Sequence, residues 1–318
     1  MKQFRIQFVL IYLSLSTSIC FAQNPLNFGS NIRTADPSAH VWEDGKMYHT
    51  CAEYLHFNEY GTIQEVERTD IGVGDNLTMP QLEPVKSGVY KWADHPVKAG
   101  ELRESREILE GVSPHFEYLK IHATTQFPGA KPGKAHANED KEECIIVKEG
   151  KMKVTIDGQS EILEAGGVIL LMPQQMHSIE NIGNSNLTYY VLQYQSKKKM
   201  DIERGQAAGG SLLLNKDSLT FKRSARGGGI AYFDRPTAMC ERFEMHITQL
   251  NARGPSHQPH VHDETEIILV LSGETEMTID GKEYKGAAGD FYFMESQLLH
   301  GVRNATDEPC SYFAFKWK

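Results

Sequence analysis

The chain has 318 residues, a length that suits two domains better than one or three. Hydrophobic residues make up 40% and charged residues 24%, with 27 Gly and 13 Pro, which excludes a polytopic membrane protein, a collagen-like chain and an intrinsically disordered one. Lys and Arg number 33 against 42 Asp and Glu, and the formal charge of -9 argues against nucleic acid as a partner, because an acidic surface repels phosphate backbones.

Residues 1–22 read as a secretory signal. Lys2 and Arg5 form a short positive start, an apolar run follows from Phe8 to Leu15, and small and polar residues lead to Cys20-Phe21-Ala22. Cleavage is expected after Ala22. Acylation of Cys20 is the rival reading, but Ile19 is bulkier than the residue that usually precedes a lipid-bearing cysteine. The expectation is an exported protein, periplasmic or secreted, with no membrane span. Loss of Lys2 and Arg5 with the signal moves the formal charge from -9 to -11. Cys51, Cys144, Cys240 and Cys310 then remain, too few for a disulfide scaffold. Export permits a bond, Cys240 with Cys310 being one arrangement, and the absence of CxxC or CxxH spacing argues against cysteine-held zinc.

Residues 23–87 form an N-terminal extension that the rest of the chain does not repeat. Within it, Thr34-Ala-Asp-Pro-Ser-Ala-His-Val-Trp-Glu-Asp-Gly-Lys-Met-Tyr48 resembles the first blade of family 43 glycoside hydrolases, with Asp36 where their general base sits. Only about 35 residues of that pattern are present and no acid partner follows. Glycoside hydrolysis requires two positioned carboxylates and is not expected here.

The second half of the chain repeats the first at a constant offset of 123 residues. Glu143 and Glu266, Gly150 and Gly273, Thr155-Ile-Asp-Gly158 and Thr278-Ile-Asp-Gly281, Gly166 and Gly289, His177 and His300, and Asn181 and Asn304 all keep it. Each unit reads as β structure. Lys151–Ile156 and Thr275–Ile279 alternate in and out and close on Asp-Gly, a strong hairpin signal, while Val168–Met172 and Ile267–Leu271 read as buried strands. The fold class is all-β, with two tandem small barrels or jelly rolls. The first unit is placed at residues 88–198 and the second, with its connector, at 199–318; the connector, residues 196–230, leads into the first strands of the second unit.

The second unit carries the chemistry. Gly254 is followed after five residues by His260-Val-His262, after three more by Glu266 and after six more by Gly273; Gly289, His300 and Asn304 come later. Residues two apart on a strand leave by the same face, so His260 and His262 project together, and Glu266 and His300 can join them. Three imidazoles and a carboxylate suit a divalent transition metal with open positions. These residues resemble the cupin superfamily, whose motifs are G(x)5HxH(x)3–4E(x)6G and G(x)5PxG(x)2H(x)3N. Glu295 and Gln297 stand where the second motif has Pro and Gly. With the repeat, the resemblance covers roughly residues 88–318 and implies two jelly-roll barrels, with His260, His262, Glu266 and His300 holding Mn, Fe, Zn, Ni or Co.

The first unit is eroded. His136, Asn138, Glu143 and His177 form at most a weak second site, since Asn is a poor neutral ligand, with Glu142 as a substitute for Glu143. Glu295, on the loop leading to His300, is the candidate general base; His257, Arg253, Arg303, Tyr292 and Gln258 are the other nearby polar groups. The function implied is a metal-dependent isomerase or lyase acting on a small sugar acid, as in the cupins of uronate degradation. Fe or Mn dioxygenase or decarboxylase chemistry, and a non-catalytic sugar-binding or storage cup, are the alternatives. A homodimer through edge strands is a further implication.

Overall fold

The computed structural model describes residues 82–318, together with two short strands, His40–Val41 and Met47–Tyr48, that pair antiparallel with each other. Residues 1–22, Asp36 and Cys51 lie outside the described residues. Among the described residues no helix is long and apolar enough to cross a membrane.

Residues 82–318 form one compact body of two barrels with the same topology. In the first, a seven-stranded sheet runs in the order Leu212–Leu214, Val168–Leu171, Glu142–Glu149, Leu187–Ser196, Phe116–Gln126, Arg103–Gly111 and Val97–Ala99. It is paired with a three-stranded sheet of His177–Asn181, Met152–Ile156 and Gln159–Leu163. In the second, the order is Lys222–Ser224, Gly227–Arg235, Phe243–Leu250, Cys310–Trp317, Thr265–Ser272, Phe291–Met294 and Gly88–Tyr90. Its partner sheet holds Gly254–Pro255, His300–Asn304, Glu274–Ile279 and Lys282–Ala287.

The Asp-Gly turns form as the sequence predicts. Ile156 pairs with Gln159 and Ile279 with Lys282 across two-residue loops, and the loop residues have positive φ, 48° and 83° at Asp157-Gly158 and 47° and 75° at Asp280-Gly281. Gly150 and Gly273 sit at φ 88° and 73°, where a Cβ would run into the carbonyls of Asn186 and Pro309. No other residue type fits there without strain.

The barrels share more than a boundary. Gly88–Tyr90 pairs with Phe291–Met294 of the second barrel, Tyr90 opposite Phe291. The corresponding strand of the second repeat, Leu212–Leu214, pairs with Val168–Leu171 of the first, Leu214 opposite Val168. Each repeat thus lends its leading strand to the other barrel. The sequence reading, with residue 88 opening the first unit and residue 212 in the connector of the second, does not show this exchange.

Three apolar clusters follow from the period-2 alternation of the strands. One fills each barrel, around Ile145, Val154 and Ile169 in the first and Ile268, Met277 and Tyr292 in the second. The third lies between the large sheets and draws on both, with Leu119, Ile121, Tyr190, Phe243, Met245, Phe291, Phe313 and Phe315. Phe116 stacks on Tyr194 at 4.8 Å and on Trp317 at 5.0 Å, joining the two repeats face to face. Cys240 belongs to this shared core and Cys310 to the interior of the second barrel. Both are free, as is Cys144, which corrects the Cys240–Cys310 pairing.

Glu142 also ties the halves together, and this corrects its place as a stand-in for Glu143. Adjacent residues on a strand face opposite ways; Glu142 turns out of the barrel and accepts from the Thr237 hydroxyl at 2.6 Å and the Ala238 amide at 2.7 Å. Because the core is shared, Phe116→Ala is expected to cost about 3–5 kcal/mol and to unfold both barrels in one urea transition. Two separate transitions would show that the barrels are energetically independent.

Candidate metal centre

The Thr265–Ser272 and His300–Asn304 strands and the segment before them bring four donors to one end of the second barrel. His260 and His300 form a two-way backbone pair, each amide 3.0 Å from the other's carbonyl, which fixes the approach of the two histidines. The Gln297 amide holds the His262 carbonyl at 2.9 Å. Gln297 adopts φ 68° at the position where the motif has Gly, so the turn is kept without the glycine. Side-chain donor atoms of His260, His262 and His300 lie within 4.8 Å of one another.

The Nδ1 of His262 donates to the Glu264 carbonyl at 3.0 Å, and that of His300 to the Leu298 carbonyl at 2.8 Å. A carbonyl only accepts, so each neutral ring presents a bare Nε2. Both Nε2 atoms point at the same oxygen, Oε2 of Glu266, at 2.8 and 3.2 Å. The His260 Nδ1 is buried without a hydrogen-bond partner. Convergent lone pairs beside a buried carboxylate repel unless a cation lies among them.

Without a cation, protons take its place: burial alone would raise the Glu266 carboxyl, but hydrogen bonds from His262 and His300, which require a proton on each Nε2, outweigh it and hold it well below the carboxylate range. The hydrogen bond to Glu266 raises His262 above the usual histidine value, whereas burial, then the nearby His257, His300 and His262, lower His260. The donor set therefore fits a divalent metal held by His260, His262, Glu266 and His300, with the Nδ1–carbonyl contacts of His262 and His300 orienting those two rings.

A cavity of about 340 Å³ opens onto these donors, lined by His260, Glu266 and His300 together with His246, Thr248, Ser256, His257, Ile268, Val302, Tyr312, Ala314 and Lys316. His257 stands 4.5 Å from His260, ring centre to ring centre, at the exposed mouth. Glu295 does not line this cavity, a correction to its assignment as general base. On the preceding strand Tyr292 and Met294 face the barrel interior while Phe291 and Phe293 face the shared core, and Glu295 follows at the parity of the latter. Its backbone amide bonds the Ser87 hydroxyl at 3.1 Å. Tyr292 is buried against Thr275, Arg253 and Arg303 pair with Asp307 and Glu276 at the surface, and Gln258 is exposed.

The cavity residues missed in the sequence are His246, Lys316, Tyr312 and Thr248. Their signal was present as polar residues two apart on strands, Glu244-x-His246-x-Thr248, a pattern that reads equally as a solvent face.

The first barrel assembles His136, Glu143 and His177 but builds a different cluster. The His177 Nε2 meets Glu143 at 2.9 Å, and the Gln193 amide satisfies the other Glu143 oxygen at 2.6 Å. Burial opposes protonation of His177, but Glu143, with the Gln175 carbonyl that faces Nδ1 at 3.1 Å, outweighs it and raises the pKa, so a single imidazolium donates from both nitrogens and balances the one carboxylate. Asn138 occupies the place of His262, its carbonyl taking the Gln174 amide as that of His262 takes Gln297, and His136 is exposed.

Two stretches of the chain, residues 124–193 and 246–316, match the family model for the cupin domain. Similar solved structures include AerE from Microcystis aeruginosa, 13% identical over 70% of this chain and 97% of that one, with a TM-score of 0.55. Protein Ylba from E. coli is 16% identical over 74% of this chain and 93% of that one, with a TM-score of 0.58. A formate complex of oxalate decarboxylase from Lactobacillus farciminis is 14% identical over 74% and 87%, with a TM-score of 0.57. At these identities the likeness is one of fold.

Ligand imidazoles must be neutral to hold a metal, so uptake displaces protons and weakens as pH falls. His262 keeps its proton to higher pH than an ordinary histidine, whose pKa is 6.5, so this competition begins early. Calorimetric titration with zinc is expected to show proton release and an apparent affinity that falls about tenfold per pH unit for each proton displaced. A flat affinity between about pH 8 and pH 5 would overturn the histidine ligation.

Proposed function

We propose, for a chain built of two tandem cupin domains, that it is an exported enzyme dependent on a divalent metal and acting as an isomerase or lyase on a small uronate-like sugar acid. The observation that carries the reading is the convergence of the His262 and His300 Nε2 atoms on Glu266 at the end of a cavity of about 340 Å³. A cavity of that volume takes a monosaccharide-sized ligand. A bound Mn, Fe, Zn, Ni or Co ion would supply Lewis-acid polarisation of a carbonyl or carboxylate oxygen.

Around that position the chain's own residues do the rest. His260, His262, Glu266 and His300 would hold such an ion at the end of the cavity. Tyr312 and Lys316 offer a hydroxyl and an ammonium to a substrate's oxygens. The barrel interior, closed below by Met277, Tyr292 and Val270, limits the ligand's size. The glycosidase-like segment Thr34–Tyr48 supports a carbohydrate-derived substrate, and the signal-like residues 1–22 support export. Structural likeness to an oxalate decarboxylase supports a second reading, decarboxylation or oxygen-dependent chemistry on a small carboxylate at the same centre.

Metal analysis of the purified protein, paired with a turnover screen of unsaturated uronates and oxalate with and without oxygen, tests the proposal. One tightly held ion per chain and oxygen-independent loss of the uronate double bond are expected. His260→Ala is expected to lose that ion and all activity, and His177→Ala to keep both. Stoichiometric metal in the His260→Ala protein would overturn the site, and oxygen-dependent turnover of oxalate alone would favour the second reading.

A further inference from the structure

His246 lies on the Phe243–Leu250 strand and lines the same cavity as His260, Glu266 and His300. Its Nδ1 donates to Glu244 Oε1 at 2.8 Å. Glu244 is held in turn by Lys316 at 3.2 Å and Arg242 at 3.4 Å. The hydrogen bond from His246 keeps the Glu244 carboxyl down at about 2, so it stays an acceptor across the working pH range. With the Nδ1 proton committed to that carboxylate, the neutral ring carries its lone pair at Nε2. That atom makes no protein hydrogen bond among the described residues.

The neighbours leave the ring open. Ala231 and Ala314 are its cross-strand partners, one on each side. Thr248 is the next residue on the same face of its own strand, and Lys316 and Tyr312 flank Ala314 on the adjacent one. Lys316 stands in register between Glu244 and the metal-site Glu266.

The first barrel provides an internal contrast. His122 occupies the same register position on Phe116–Gln126, but Glu107 and Val191 take the places of the two alanines, and Lys120 replaces the orienting glutamate. The His122 Nδ1 is buried without a partner, and burial lowers its pKa. Both barrels keep the imidazole; only the one with the complete donor set keeps the carboxylate that orients it and the space that exposes it.

We propose that His246 is the proton-transfer residue of the second cavity and Glu244 its positioning residue, serving a small hydroxy- or oxo-acid. The proposal rests on the metal-dependent isomerase or lyase reading above. On the ring-opened unsaturated uronate, His246 Nε2 takes the proton of the enol hydroxyl on C5; the O–H electron pair forms the C5 carbonyl, and the electron pair of the C4=C5 double bond moves to C4. The imidazolium, balanced by Glu244, then returns the proton to a neighbouring atom of the substrate, which restores the starting ring.

The test uses the full-length protein loaded with zinc and 4,5-unsaturated galacturonate as the probe. His246→Gln is expected to retain the metal and lose about 100-fold or more in kcat, with KM little changed. Glu244→Gln is expected to lower kcat less and to shift the His246 ring from the Nδ1–H tautomer toward a mixture, read by ¹⁵N NMR; a merely structural glutamate would leave the tautomer alone. A His246→Gln protein within threefold of the parent overturns the dyad and leaves the metal reading standing. If the zinc-loaded parent leaves the uronate intact, the substrate reading falls, and oxalate added as a metal-chelating probe decides the dyad. A shift of the His246 Nε2 resonance upon oxalate binding supports it, and an unmoved resonance overturns it. A parent protein that holds no metal overturns both readings.

Discussion

A strand that alternates inward and outward leaves one face outside its own barrel, and here that face is too apolar to meet water. Phe243, Met245, Phe313, Phe315 and Trp317 line the outer side of the second large sheet, and Leu119, Ile121, Tyr190 and Tyr194 that of the first. Burial of such side chains contributes about 1.5–3 kcal/mol each, so the two sheets meet back to back. That union buries the outer faces of both large sheets. It leaves the interior end of each barrel free to carry polar groups that a lone small barrel would have to fill with hydrocarbon.

The second barrel uses that freedom fully and the first only in part. Three imidazoles and Glu266 converge where two ring nitrogens already have their protons committed elsewhere, a combination that a single proton cannot satisfy. In the first barrel one imidazolium, His177, donates to both the Gln175 carbonyl and Glu143, Gln193 occupies the remaining oxygen, and Asn138 adds no imidazole. The eroded cluster thus pairs one imidazolium with one carboxylate.

Much of this was legible in the sequence, and the failures have a common cause. The offset of 123 residues revealed the duplication, and the Asp-Gly pairs fixed two hairpins, because short-range turn chemistry is decided locally. His260, His262 and Glu266 could be placed on one face from their spacing alone. Glu295 and Glu142 went astray because parity decides which way a residue points, and parity at a strand's end depends on a register that sequence does not state. His246 and Lys316 were hidden because a polar residue every second position describes a solvent face and a polar barrel interior equally well. The strand exchange involves residues about 200 positions apart and leaves no local signature.

The exchange has a consequence for how the chain reaches this state. Gly88–Tyr90 is made early, yet its partner Phe291–Met294 comes near the end, so the strand must wait unpaired while nearly all of both barrels emerges. Leu212–Leu214 completes the first barrel much sooner after its partner, Val168–Leu171. The second barrel is thus closed by a contact of long sequence separation and the first by a much shorter one. Contacts of such long sequence separation slow folding and leave an exposed sheet edge in the interim. The eroded barrel thereby keeps a task that needs no chemistry of its own: its outer sheet face covers the apolar face of the barrel with the full donor set.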